Sequence, residues 1–168
     1  MRINPIKTTP IVPIFFALIL LACTAIPGVA EPRRGKGARV LKIKYKPEKV
    51  IYDVVTGKKS RLSVILSKAA TLDKMYESHP FHSSIIIILH GNSVKFFARS
   101  NARRYRNLMK RAESLTHGGT IEFRMCLMRA RLSGYRPRDI QGFVKMVPMA
   151  DAEIVRLQKK GYAYMYTH

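Results

Sequence analysis

The sequence predicts a single α/β domain of three layers, in which a mostly parallel five-stranded sheet lies between helices. Two patterns support this prediction. Segments typical of strands and of helices alternate from residue 49 to the end of the chain. The segment Ser84–Leu89 contains four isoleucines and a leucine without polar alternation, as in a strand that is covered on both faces. We therefore expect Ser84–Leu89 to be the central strand.

Local patterns place the next elements in chain order. Lys49–Val55 (KVIYDVV) predicts the first strand, and a turn leads from it into a helix over about Ser60–Glu77, whose apolar residues recur at helical spacing. A second helix is predicted over about Asn101–Leu115. Two glycines end that helix before the strand Thr120–Cys126 begins.

The end of the chain predicts a short strand, a helix and a final strand. Val144–Val147 is the short strand, and Asp151 is placed to cap the helix that follows it. Lysines in the last turn of that helix and Gly161 just beyond it give the order of charge and cap that a helix prefers. Tyr162–Tyr166 alternates tyrosine with Ala and Met and predicts the closing strand, with the tyrosines on one face.

Residues 1–30 predict an export signal. Basic residues precede the uncharged run Ile11–Ala22, and small residues at 28–30 offer a cleavage site. The run is short and interrupted by prolines, which disfavours a permanent membrane span. The first interpretation is a periplasmic or otherwise exported protein. A second interpretation is a lipoprotein, because residues 20–23 (LLAC) resemble a bacterial lipobox in which Cys23 is lipidated.

The remaining chain divides into two parts. Residues 31–48 are rich in Pro, Gly, Lys and Arg and predict a basic linker. Within that linker, Val40–Tyr45 alternates apolar residues with lysines, which indicates an edge strand. Residues 49–168 form the predicted domain.

The charge of the chain is strongly basic. It has 31 Lys and Arg residues against 10 Asp and Glu residues, a formal net charge of +21. Removal of residues 1–30 takes away two basic residues and no acidic one, so 29 basic and 10 acidic residues leave +19. This charge predicts attraction to an anionic membrane surface or an acidic protein partner. Specific binding of nucleic acid is not expected, because the basic helix face Arg103–Arg111 lacks the interleaved aromatic residues that stack bases.

Cys126 is the best candidate for chemistry. It ends the third strand, and it would be the only cysteine left after removal of the leader that contains Cys23. Strand alternation puts Cys126 on one face with Glu122 and Arg124. A cationic neighbour such as Arg124 favours the thiolate, the reactive form of cysteine. The alternative is a small buried residue at a strand end, since free cysteines are among the most buried residue types.

Two further positions join Cys126 as candidates. His90 follows the central strand, and ligands of open α/β sheets bind beyond the carboxyl ends of the strands. An imidazole there would help to activate Cys126 or would simply tie down a loop. Arg124 and Arg129 would stabilise a persulfide anion or would belong to the basic surface. A metal site at His79-x-x-His82 with His90 is disfavoured because no accompanying metal motif is present, and the sequence has no cofactor motif.

The sequence resembles the DsrE/DsrF-like family over most of Lys49–Thr167. The isoleucine strand followed by Leu89-His90-Gly91 matches, and four further blocks occur in the family's order: Gly118–Cys126 (GGTIEFRMC), Tyr135–Ile140 (YRPRDI), Val144–Pro148 (VKMVP) and Leu157–Tyr166 (LQKKGYAYMY). The resemblance implies a flavodoxin-like three-layer fold. It also implies assembly into homotrimers or homohexamers.

The resemblance implies a role in sulfur trafficking as well. In the well-understood members, a cysteine at this strand end carries sulfur as a persulfide between a donor and an acceptor protein, and Cys126 occupies the matching position. The expected function is therefore an exported sulfur carrier or thiol-redox protein that acts through Cys126. The alternative is a basic scaffold without catalysis that binds an anionic surface or an acidic partner, with Cys126 merely packed.

Overall fold

The computed structural model describes residues 37–78 and 81–167. It divides the chain into two units, residues 1–41 and residues 42–168. In the first unit, the described residues 37–41 have no regular secondary structure. The export signal and lipobox predicted within residues 1–30 lie outside the described residues, as does His79. No helix in the described ranges is long and apolar enough to cross a membrane.

The second unit is an α/β domain whose described residues form one five-stranded sheet. All strand pairs are parallel, and the order in the sheet is β4-β3-β2-β1-β5. The isoleucine strand is central, as predicted. The strands are β1 (Lys49–Val54), β2 (Ser84–Leu89), β3 (Ile121–Cys126), β4 (Val144–Val147) and β5 (Ala163–Thr167).

Helices cover both faces of the sheet, which confirms the three-layer prediction. The α-helices in the described residues are α1 (Lys59–Met75), α2 (Arg106–Ser114), α3 (Leu127–Leu132) and α4 (Ala150–Gln158). The larger core lies between the sheet and the pair α1 and α2, and Phe123 packs there against Phe97 and Phe143 with ring centroids 5.6 Å away in both cases. The smaller core lies under α4, where Ile154 and Leu157 pack on the opposite face of the sheet. We call this second face the α4 face.

The edge strand predicted at Val40–Tyr45 is wrong. Residues 37–48 form no strand, and the apolar side chains of the predicted strand are exposed, with Val40 at 89% and Tyr45 at 52%. The sheet explains the difference. Both neighbours of β1 are already taken by β2 and β5, so the segment that leads into β1 cannot pair with β1 itself.

Two helix starts also differ from the predictions. Helix α2 begins at Arg106 and not at Asn101, whose side-chain amide donates to the backbone carbonyl of Lys95 at 2.8 Å instead of continuing a helix. Helix α4 begins at Ala150 with Met149 as its N-cap residue. Asp151 is therefore not the cap but lies in the first turn, where its negative charge favours the helix.

Candidate functional site

The carboxyl ends of neighbouring strands bring the candidate residues together on the α4 face. The β2–β3 register pairs Leu89 with Met125, so the next residues, His90 and Cys126, lie opposite each other. On the other side of β2, the β1–β2 register pairs Asp53 with Ile88, which lies two residues before His90 and therefore on the same face. Asp53, His90 and Cys126 therefore follow one another across three adjacent strands, as the sequence predicted for His90 and Cys126.

Asp53 holds the His90 ring. His90 Nε2 lies 2.5 Å from Asp53 Oδ1, and the Asp53 side chain is 8% exposed against 21% for His90. Burial raises the pKa of Asp53, but the hydrogen bonds with His90 and Tyr164 and the attraction of His90 outweigh burial and lower the pKa overall. Asp53 is therefore an ionised acceptor at neutral pH, and His90 Nε2 must be the donor. In the neutral ring, this leaves the lone pair on Nδ1.

Tyr164 is the second hydrogen-bond donor to the Asp53 carboxylate. Its hydroxyl donates to Asp53 Oδ2 at 2.6 Å from the neighbouring strand β5. This hydrogen bond raises the pKa of Tyr164 to about 12, with smaller contributions from burial and nearby charges. The hydroxyl of Thr167 donates to the backbone carbonyl of Asp53. Asp53 is thus fixed at both its side chain and its backbone, which leaves the His90 ring a rigid partner.

Cys126 is buried beside this pair. The residue is 3% exposed and packs on the α4 face with Ile88, Ala150 and Ile154. It is also the N-cap residue of α3, and its Sγ accepts a hydrogen bond from the backbone amide of Arg129 at 3.4 Å. A backbone donor in this position stabilises a negatively charged sulfur. Burial of this degree is also what a packed structural cysteine would show.

Arg129 connects the two strand ends. Besides its amide contact with Cys126, its Nε donates to the carbonyl of Gly91 at 3.1 Å, and its Nη2 lies 3.4 Å from Asn92 Oδ1. The segment after His90 is therefore tied to the start of α3. Gly91 has a φ of +55°, and a side chain at this position would meet the carbonyl oxygen of Val55 at 3.1 Å, so the turn requires glycine.

Arg124 does not serve Cys126 in the way the sequence predicted. Its Nε donates to Glu122 Oε1 at 2.5 Å, and its Nη1 donates to Glu153 of α4. Lys145 also binds Glu122, and Arg156 also binds Glu153. Every hydrogen bond recorded for the Arg124 guanidinium goes to these carboxylates, so the backbone amide of Arg129 takes the place of Arg124 at the sulfur.

The pKa shifts of this ion network follow from its contacts. Burial raises the pKa of Glu122, but the hydrogen bonds and charges of Lys145 and Arg124 lower it overall. The hydrogen bond from Arg156 lowers the pKa of Glu153, with further lowering from Arg124 against the effect of burial. The network joins β3, β4 and α4, so its role is to hold α4, which covers Cys126, onto the sheet.

Two functional positions were missed by the sequence analysis. Asp53 stood inside a strand-forming run (KVIYDVV), where a single acidic residue among apolar ones was the only available signal. Tyr164 was placed on a shared tyrosine face, and this face is confirmed, because Tyr162 and Tyr164 donate to Ser84 Oγ and Asp53 Oδ2 on the same side of the sheet. No cluster of three or more metal-ligating side chains occurs within residues 37–78 and 81–167.

The arrangement is suited to proton transfer beside a thiol. A buried carboxylate orients an imidazole, and the imidazole nitrogen that remains basic belongs to a residue opposite a cysteine. The same order of groups, in which an oriented base adjoins a sulfur or oxygen nucleophile, activates nucleophiles on unrelated folds.

Comparison with known proteins supports the fold. No family model matches the chain, and no curated protein matches it. A solved structure of a protein of unknown function from Methanobacterium thermoautotrophicum is similar, with a TM-score of 0.61 and 24% sequence identity over 71% of this chain and 98% of that chain. At this identity the likeness shows a shared α/β fold, and the resemblance to the DsrE/DsrF-like family stays a prediction.

Proposed function

We propose that this protein is an exported DsrE-like sulfur carrier in which Cys126 accepts sulfur as a persulfide from a donor protein and transfers it to an acceptor protein. The observation that supports this proposal best is the position of Cys126 opposite His90, whose ring is oriented by Asp53. The proposed assembly is the homotrimer or homohexamer that the resemblance implies.

The proposed reaction begins with proton transfer from the Cys126 thiol to His90 Nδ1. The thiolate attacks the outer sulfur of a donor persulfide, R–S–SH, so that a new sulfur–sulfur bond forms on Cys126 and the donor's sulfur–sulfur bond breaks. The donor leaves as R–S⁻ and takes the proton back from the imidazolium. No external oxidant is needed, because the sulfane sulfur moves between two thiols without a net change in oxidation state.

The burial of the thiol sets a condition on this function. Ile154 and Ala150 of α4 pack beside Cys126, so a donor reaches the sulfur only after local opening of this region. Opening of this kind costs less free energy than global unfolding. When the region closes again, burial keeps a loaded persulfide away from water and from other thiols between transfers.

Sulfur loading tests the proposal directly. The full chain with Cys23→Ser, which retains Cys126 as its only thiol, is incubated folded with glutathione persulfide and measured by intact mass. We expect a gain of one sulfur atom on the folded protein and no gain on the same chain with Cys126→Ser. If the folded chain gains no sulfur while a urea-denatured sample does, Cys126 is a packed residue and the proposal fails.

The second candidate function is a basic scaffold that binds an anionic surface or an acidic partner. The net charge, +21 for the full chain and +19 without residues 1–30, favours it, as do the exposed basic residues of α2, among them Arg106 and Lys110. We expect binding to phosphatidylglycerol vesicles in a sedimentation assay and marked weakening between low and high salt, because added ions screen exposed charges. Vesicle binding of the same strength at low and high salt concentration would contradict this function.

A further inference from the structure

The two edges of the sheet are protected very differently. The edge strand β4 carries Lys145, which is exposed, and is followed directly by Pro148. A lysine and a proline are devices by which proteins prevent other strands from pairing with a sheet edge. The edge strand β5, Ala163–Thr167 (AYMYT), has no charged residue and no proline.

The strand β5 is also uncovered on both faces. On the α4 face, Tyr164 is 40% exposed, and on the opposite face Met165 is 43% exposed. Four of its five residues are exposed, whereas five of the six residues of β1 and of β2 are buried. A strand that is apolar, uncharged and exposed at a sheet edge is a template for pairing with another chain.

The register shows which backbone groups of β5 face outward. The carbonyl of Val54 accepts from the amide of His90 and therefore points toward β2, so the carbonyl of the preceding residue, Asp53, points toward β5. In a parallel ladder, the two residues on either side of the register partner make the hydrogen bonds. The register partner of Asp53 is Tyr166, so the bonded residues are Met165 and Thr167. The amide and carbonyl of Tyr164 therefore point away from the sheet, and no described strand lies on that side.

An apolar cleft runs beside this edge. It has a volume of about 500 Å³ and lies between β5 and α1, with Tyr52 and Ile65 among its buried lining residues and Met165 at its outer side. Arg61 and Lys68 of α1 line it and are exposed, and none of the described residues that line it is acidic. Within the described residues, neither cation is recorded in an ion pair with a carboxylate.

The positive charge beside the β5 edge favours a strand from another protein over a second copy of this chain. A second copy of the chain paired at the same edge would add its own exposed cations, Arg61 and Lys68, to a face that already carries them. Like charges in this position oppose pairing. A partner strand meets no such repulsion if the residues it turns toward α1 are an apolar side chain for the cleft and, two positions before and after it, carboxylates for Arg61 and Lys68, because every second residue of a strand lies on the same face.

We propose that the outer edge of β5 is a docking site for an extended segment of a partner protein that adds a sixth strand to the sheet and turns toward α1 an apolar residue with an acidic residue two positions before and two positions after it. Backbone pairing supplies the affinity in recognition of this type, and pockets for alternate side chains supply the specificity. The inference does not rest on the thiol chemistry of Cys126. It gives acidic-partner binding one defined place, distinct from the general attraction that the net charge produces.

A labelled synthetic peptide tests the site on the full chain. The probe is a short blocked peptide with valine at its centre, glutamate two positions before and two positions after the valine, and threonine at the positions between them, measured by fluorescence anisotropy. A second peptide of the same sequence is N-methylated at two adjacent central residues, which blocks backbone pairing on both of its sides and keeps its charge. We expect the unmodified peptide to bind and the methylated peptide to bind about tenfold more weakly or not at all.

Two matched protein variants locate the binding. Arg61→Glu with Lys68→Glu reverses the cations beside the cleft, and Arg106→Glu with Lys110→Glu makes the same change in net charge on the exposed face of α2. We expect roughly tenfold weaker binding for the first pair and less than about twofold for the second. Circular dichroism confirms that both variants fold.

Three results would overturn the inference. The two peptides would bind equally, or the two variant pairs would lose the same affinity, which would mean that only net charge matters. Alternatively, sedimentation would show that the protein self-associates and that Arg61→Glu with Lys68→Glu strengthens the association, which would assign the edge to a second copy of the chain. Sulfur loading on Cys126 is measured separately, so its failure leaves this test unaffected.

Discussion

His90→Ala is expected to slow sulfur loading of Cys126 by about a hundredfold or more, because positioned general bases contribute roughly 10²–10⁴-fold. In the proposed reaction the imidazole takes the thiol proton, because His90 lies opposite Cys126 in the β2–β3 register and its ring is held by Asp53. Asp53→Asn keeps a side chain of the same shape but removes the charge that favours the imidazolium. We expect it to slow loading by about tenfold, less than removal of the ring.

The measurement is the rate of mass gain with glutathione persulfide, followed in the Cys23→Ser chain. His117→Ala is the matched control, since His117 is exposed and lies before the amino end of β3, away from the carboxyl ends of the strands. Added imidazole should restore part of the rate to His90→Ala and none to Cys126→Ser. A merely structural role for His90 would give no such rescue, and an unchanged rate in His90→Ala would remove His90 from the reaction.

The sequence predicted those site residues that end a strand, and the physical reason is local. A buried strand can be recognised from its apolar composition. His90, which follows Ser84–Leu89, and Cys126, which ends Thr120–Cys126, could therefore be predicted to lie at the carboxyl ends of strands. Parallel connections then bring those ends to one edge of the sheet. His90 and Cys126 follow from these two steps, although neither step fixes which strands are neighbours.

Asp53 and Tyr164 could not be predicted because their roles depend on strand order. Asp53 lies within β1, and its partners come from β2 on one side and β5 on the other. Strand β5 is last in the chain but adjacent to the first strand. Local pattern carries no information about that crossover, so an isolated acidic residue in a strand remained without a partner until the fold was known.

The helix α3 was missed for a related reason. Its six residues contain two arginines and were indistinguishable from a basic surface segment. The helix starts directly after Cys126, which is its N-cap residue. The Cys126 sulfur accepts the capping hydrogen bond that a side-chain oxygen of Ser, Thr, Asp or Asn normally accepts. Because cysteine is an unusual N-cap residue, neither the helix nor the contact between the sulfur and the backbone amide of Arg129 was predicted from the sequence.

The second large effect concerns the ion network that fastens α4 over Cys126. Arg124→Met is expected to lower the free energy of unfolding at neutral pH by about 2 kcal/mol, less than the ~3–5 kcal/mol lost when a buried pair is broken outright. The loss is smaller because Lys145 still pairs with Glu122, and Arg156 still pairs with Glu153. Arg103→Met is the control, since Arg103 is exposed and is in none of the recorded ion pairs.

The pH dependence distinguishes a charge effect from lost packing. The folded-state pKa values of Glu122 and Glu153 are lowered, so the stability that these carboxylates contribute is present above their ordinary pKa and is lost as pH falls through the lowered values. The difference between the wild type and Arg124→Met, measured by urea unfolding, should therefore be largest near neutral pH and shrink in acid. A difference that stays constant into acid would show that Arg124 acts by packing. If the charge effect holds, thiol access should change with it, because the same salt bridges hold α4 over the sulfur, and Arg124→Met should make Cys126 react faster with a small alkylating probe.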